Sequence, residues 1–205
     1  PQDTSSAASD VYKRQPLGYR LVIGFQNRGC SYRDEEPLRL GCFHCGFYAG
    51  SQAPNRRDVH RALLSQFRNG LIYGIEQGGS FDVIEFLSDG SFLNDDEVPE
   101  DVKRKIFDAI SKIPHVRRVL VESVPSKVYD QRLELVERVS GLRDDQELEI
   151  GIGFETSDPF IRQICLNKGT DTREFERAVE HVASLPDNLC TRCLLYTSPS
   201  PRDRN

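Results

Sequence analysis

The sequence contains no methionine and no tryptophan in 205 residues. A chain without even an initiator methionine is expected to be part of a longer reading frame. There is no run of about 20 apolar residues, so no helical membrane span is expected. A strong basic excess is missing too: 27 Lys+Arg stand against 32 Asp+Glu, a net charge of −5. A generic electrostatic grip on nucleic acid is thereby excluded, because that needs a basic footprint. Six cysteines are too few and too clustered for a small disulfide-dense secreted scaffold. What is present, 38% hydrophobic and 29% charged residues, is enough to bury one core of about 150–200 residues and too apolar for a disordered chain.

The two ends differ from the middle. Residues 1–15 and 193–205 are small, polar and without periodicity. The first has no apolar centre and is not a signal peptide. Both resemble peptides that recur where sequencing-adaptor DNA is translated, and both are expected to be non-native, disordered segments. This leaves a core domain of 16–192.

Within the core, strand and helix patterns alternate. Arg20–Phe25, Phe81–Leu87, Val116–Val121 and Leu148–Phe154 are short apolar runs rich in β-branched residues, and read as strands. Between them lie helical stripes. Val59, Ala62, Leu63 and Phe67 follow an expected cap at Asn55. Val102, Ile106, Phe107, Ile110 and Ile113 follow Asp95, Asp96 and Pro99, and are expected to stop at Pro114. Val128, Leu133, Val136 and Val139 lead to a stop at Gly141, and Phe175, Ala178, Val179 and Val182 end near Pro186. Four βα units in a row require a parallel sheet with right-handed crossovers. A doubly wound open sheet and part of a βα barrel both satisfy this, and in both the chemistry sits at the carboxyl ends of the strands.

The loop after the first strand carries the strongest chemical signal. Cys30, Cys42 and Cys45 lie there, the last two within Gly41-Cys-Phe-His-Cys-Gly46. A two-residue gap lets two thiolates reach one metal centre, and soft thiolates suit iron–sulfur clusters or zinc. A 4Fe–4S cluster held by three cysteines keeps one iron open. A structural zinc site would need a fourth ligand, for which His44, His60 and Cys165 are available. Unligated thiols are the third reading.

The stretch from Arg28-Gly-Cys-Ser-Tyr through Gly41-Cys-Phe-His-Cys-Gly-Phe-Tyr48 resembles the radical S-adenosylmethionine superfamily. There the cluster loop follows the first strand, usually as CxxxCxxC. The eleven-residue first gap found here resembles the archaeosine-synthesis radical-SAM proteins, near the elongator catalytic-subunit-like and methylthiotransferase group. Later segments are similar as well. Phe86-Leu-Ser-Asp-Gly-Ser-Phe-Leu93 resembles the glycine-containing segment that binds the methionine amino group, with Asp89 in place of the usual first glycine. Val121-Glu-Ser-Val-Pro125, Gly151-Ile-Gly-Phe-Glu-Thr156 and Leu166-Asn-Lys-Gly-Thr170 also resemble segments of that group.

The resemblance implies a partial βα barrel, of which about four of six units are present, hence a truncated fragment with an unpaired edge on the fourth strand. It implies a 4Fe–4S cluster on Cys30, Cys42 and Cys45, and S-adenosyl-L-methionine beside His44, Gly46, Ser88, Asp89, Gly90, Ser91, Glu122, Glu155 and Lys168. The chemistry implied is one-electron cleavage of the sulfonium to a 5′-deoxyadenosyl radical, with an external electron donor, in a reducing cytoplasmic setting. The implied substrate is a base in transfer RNA, reached through the missing C-terminal part together with a partner enzyme. Plain roles compete with each assignment. Glu122 and Glu155 could simply meet solvent at strand ends, Gly90 could serve a turn, Lys168 could be a surface lysine, and His44 could pack without binding metal. Arg117-Arg118 and Lys103-Arg-Lys105 read as solvated faces. A zinc-stabilised α/β binding module without catalysis is the reading from another class.

Overall fold

A computed structural model describes residues 19–27, 29–35, 40–46, 59–79, 81–129 and 141–195. The expected caps at Asn55 and the stripe Leu133–Val139 lie outside them, as do Arg28 and Tyr48.

Five strands form one parallel sheet: β1 (Tyr19–Phe25), β2 (Phe81–Ser88), β3 (Arg118–Ser123), β4 (Glu147–Glu155) and β5 (Leu189–Leu195). The helices are α1 (Ser31–Glu35), α2 (Val59–Glu76), α3 (Glu100–Ser111), α4 (Pro125–Tyr129) and α5 (Thr172–Ala183), with a π turn at Ile161–Cys165. The spatial order is β1-β2-β3-β4-β5, the order in the chain. A doubly wound sheet needs that order to reverse at a switch point. Here every crossover steps the same way, and among the described residues the long helices α2, α3 and α5 pack into one core on one face of the sheet. The fold is an open, singly wound α/β sheet, compatible with part of a βα barrel.

Strand alternation divides the sheet into two unlike faces. Ile23, Phe25, Ile84, Phe86, Val119, Val121, Leu148, Ile150 and Ile152 join Leu63, Phe67, Ile106, Phe107, Ile110, Ala178 and Val182 from the helices in one core. The helix α2 comes very close to β1 because it carries glycines at the contact. A Cβ on Gly70 would lie 2.9 Å from Ile23 Cγ1, and one on Gly74 would lie 3.0 Å from Leu21.

The opposite face is polar and laced with ion pairs. Arg20 Nη1 lies 2.7 Å from Glu85 Oε2, and Arg118 contacts Glu147 at 2.7 Å and Glu149 at 3.1 Å. Arg192 also pairs with Glu149, whose carboxylate is buried. Arg118 is therefore part of a cross-strand network, not a solvated residue. Lys103 departs from expectation in the same way: it is buried, and Nζ donates to Asp95 Oδ1 at 2.6 Å and to the Leu93 carbonyl at 3.2 Å. Asp95 thus binds a lysine instead of capping α3, whose N-cap position is Pro99 without a side-chain cap. Glu100 and Asp101 complement the helix dipole there. The helix stops at Ser111, before Pro114. In α5, Asp171 and Glu174 form a reciprocal capping box.

The fifth strand is a correction. Leu189–Leu195 pairs with β4 from Leu148↔Leu189 to Glu155↔Leu195. The ordered core therefore passes the expected boundary at 192, and β4 is flanked on both sides. The signal was weak because Thr191 and Arg192 interrupt the apolar run, and because the boundary at 193 split the strand. Among the described residues no helix is long and apolar enough to cross a membrane.

Candidate functional site

The carboxyl ends of β1 to β4 open into one cavity of about 320 Å³. From the loop after β1 come Cys30, Cys42, His44, Cys45 and Gly46; from the loop after β2, Ser88, Asp89 and Gly90. Glu122 is the last residue but one of β3, Glu155 ends β4, and Lys168 follows the π turn. Of the twelve residues that the resemblance assigned to the cluster and the cofactor, Ser91 alone is not in the wall. It is buried behind it, its Oγ 2.6 Å from Ser123 Oγ and accepting from Val124 N–H at 3.3 Å.

The segment 166–169 clamps the cysteine loop. Phe43 N–H donates to the Leu166 carbonyl at 2.9 Å, and Asn167 Nδ2 donates to the Gly41 carbonyl at 2.9 Å. Tyr32 Oη donates to the Asn167 carbonyl at 2.9 Å. Gly169 adopts φ +68°, a left-handed conformation in which a side chain would collide with the Tyr32 ring. Both halves of the loop, one carrying Cys30 and the other Cys42 and Cys45, are thus tied to a segment more than 120 residues later. A turn with Cys45 N–H bonded to the Cys42 carbonyl at 3.0 Å sets the spacing of the last two thiols.

Lys168 lines the cavity beside Glu155. Its Nζ lies 2.8 Å from Glu155 Oε1, and the Nε2 of His44 lies 3.8 Å from the same oxygen. A Cβ on Gly153 would fall 2.8 Å from Lys168 Nζ, so the glycine leaves the space in which the ammonium group lies. Glu155 has φ 67°, a left-handed conformation rare for a residue with a side chain. Burial lowers the His44 pKa, opposed by Glu155 and reinforced by Lys168. Burial pushes the Cys42 thiol up to about 11, against the pull of Lys168, with Cys30 and Cys45 adding to the rise. Cys30 is raised chiefly by burial, while the N–H groups of Arg33 and Tyr32 lower it. Burial, then the neighbouring Glu85, raises Glu122. Asp89 is raised by burial and by Glu97, and its Oδ2 is buried with no hydrogen-bond partner among the described residues.

Glu97 had no signal in the sequence. It is buried, and its Oε1 accepts from Ser31 N–H at 2.9 Å, Ser31 Oγ at 2.7 Å and Asn94 Nδ2 at 3.1 Å. Its Oε2 accepts from Ser91 N–H. An acidic residue in an acidic stretch looks solvated, and only the tertiary structure turns it inward.

Three soft thiols on one cavity form a donor set suited to an iron–sulfur cluster. Among the described residues, no group of three or more His, Cys, Asp or Glu side chains gathers closely enough to hold a single metal ion. Of the residues considered as a fourth zinc ligand, only His44 lines the cavity. His60 Nδ1 pairs with Asp101 at 3.0 Å, and Cys165 is exposed on the π turn.

No family model matches the chain, and no solved structure matches it. Curated relatives do. An uncharacterised protein of Methanocaldococcus jannaschii is 30% identical over 178 residues, covering 83% of this chain and 45% of its own length. A protein of Thermococcus kodakarensis named archaeosine synthase subunit beta is 30% identical over 167 residues, covering 80% and 48%. One of the same name from Methanosarcina acetivorans is 27% identical over 162 residues, covering 78% and 43%. The chain spans a little under half the length of these relatives.

Proposed function

We propose that this chain carries the cofactor-binding part of a radical S-adenosylmethionine enzyme that acts in archaeosine formation on transfer RNA. The observation that carries the reading is the meeting of Cys30, Cys42 and Cys45 with the glycine-containing loop after β2 in one cavity at the strand ends. The names of the two archaeosine synthase subunits supply the substrate class. Transfer RNA, a partner enzyme and an external electron donor belong to the same proposal.

In this reading Cys30, Cys42 and Cys45 hold a 4Fe–4S cluster, and the wall from Ser88 to Gly90 with Glu122, Glu155 and Lys168 receives S-adenosylmethionine. Together these groups supply one-electron reductive cleavage of a carbon–sulfur bond and hydrogen-atom abstraction. The protein's own work is positional. Lys168 offers a cation near Cys42, which offsets the gathering of thiolate charge. The segment 166–169 keeps the two halves of the cysteine loop together before any cofactor arrives. Glu122, whose pKa burial raises, can present a hydrogen-bond donor when protonated.

Anaerobic reconstitution with iron and sulfide, followed by metal analysis, tests the proposal. A brown protein holding iron and acid-labile sulfide is expected, and S-adenosylmethionine should perturb its electron paramagnetic resonance spectrum when reduced. Zinc with no iron after the same treatment would overturn it and favour a zinc-stabilised binding module.

A further inference from the structure

We infer that Glu97 is a positioning residue, whose buried carboxylate holds the turn carrying Cys30 against the loop that follows β2. It sits outside the cavity wall, and its charge adds to the rise of the Cys30 thiol. Its four donors come from two places far apart in the chain: Ser31, next to Cys30, and Ser91 with Asn94, beyond the cavity-lining Ser88–Gly90. Ser31 stands 66 residues before Glu97.

The choice of a carboxylate has a physical reason. An ionised carboxylate is acceptor-only, whereas the amide of glutamine brings an NH₂ that would face one of these donors. Hydrogen bonds to a charged acceptor are also the stronger kind, and in a buried place they are retained only where every lone pair has work. The link runs on from Ser91: its Oγ meets Ser123 Oγ, and Phe92 N–H donates to the Glu122 carbonyl at 2.9 Å. One continuous set of contacts therefore joins the Cys30 turn to the end of β3: from the loop after β2, Glu97 accepts from Ser31 twice, and Asn94 Nδ2 donates to Ser31 Oγ at 2.8 Å beside it. Gly90 is part of the same fit, since a side chain there would strike the Glu97 carboxylate.

The role concerns the thiol whatever that thiol binds; its service to a cluster rests on the function proposed above. The test is made first on metal-free, reduced protein, so the two can fail separately. Iodoacetamide labelling of Cys30, Cys42 and Cys45 is followed by mass spectrometry in wild type, Glu97→Gln and Asp95→Asn. The last breaks the Lys103 pair on the same segment and serves as the control for general loosening. Glu97→Gln should speed Cys30 labelling by about ten- to hundredfold, the change in local opening expected when hydrogen bonds to a buried charge are lost. Cys45 should change far less, and Asp95→Asn should not reproduce the selectivity. Unchanged Cys30, or equal acceleration of all three thiols, would overturn the inference. Because losing the Glu97 charge also lowers the Cys30 thiol and speeds its labelling without movement, Ser31→Ala decides: it keeps that charge and removes one donor, and selective exposure of Cys30 supports the role while its absence rejects it. After reconstitution, Glu97→Gln should hold less iron per chain than wild type. A wild type that takes up no iron refutes the cluster, not the labelling result.

Discussion

Lys168 Nζ and Glu155 Oε1 form a 2.8 Å ion pair in which each side chain retains only 13% of its exposure. Both residues line the cavity whose wall carries the three thiols, and Gly153 provides their room. A pair this sheltered behaves unlike a surface contact: removing one partner strands the other charge.

Lys168→Ala should therefore lower stability by about 3 kcal/mol, the usual cost of an orphaned buried charge. The double variant Lys168→Met with Glu155→Gln should recover most of that loss. Urea unfolding of the two singles and the double gives the coupling, and additive losses would contradict a sheltered pair.

Cys42→Ala should abolish cluster formation on reconstitution, while Cys165→Ala should leave iron uptake unchanged. Cys165 is exposed and absent from the cavity wall. An intact cluster in Cys42→Ala, measured by iron and sulfide content, removes Cys42 from the ligand set.

Gly70→Ala sets two effects against each other. Alanine gains up to about 1 kcal/mol in helix propensity. Its methyl would lie 2.9 Å from Ile23 Cγ1, and overpacking costs about 1–3 kcal/mol. The net change should be destabilising, read as a lower thermal midpoint; a rise would show that α2 shifts freely over β1.

Glu149→Ala should cost about 1–2 kcal/mol: it removes the buried partner that Arg118 and Arg192 share, but Arg118 keeps Glu147 and both arginines are partly exposed. Asp108→Asn, which breaks the exposed Lys112 pair, should change stability by less than about 0.5 kcal/mol. Comparable losses in the two variants, by denaturant titration, would count against the network.

Ending the chain at Pro186 removes β5 and bares the hydrogen-bonding edge of β4. Such an edge invites intermolecular pairing. The shortened chain should elute as aggregates in size-exclusion chromatography, where the 205-residue chain does not.

The sequence by itself determined the alternation of strand and helix, because hydrophobic periodicity is local: the first four strands and helices α2, α3 and α5 fall where apolar residues recur at steps of two or of three and four. It also determined which segments could meet, since four consecutive βα units must deliver the loops after their strands to one end of the sheet. The cysteines and the glycine-containing segments were legible for that reason, and of the assigned cluster and cofactor residues all but Ser91 reached the cavity wall. Only the tertiary structure decided the rest. Glu97, Lys103 and Arg118 are charged residues that any local reading leaves in water, yet Glu97 and Arg118 turn toward partners distant in sequence, and Lys103 folds back on Asp95 and Leu93 in the loop before its own helix. The fifth strand lacked a clean apolar run and is held by the exposed edge of β4. Whether a polar side chain is solvated or buried depends on partners brought close by folding, and those partners leave no mark on its immediate neighbours in the chain.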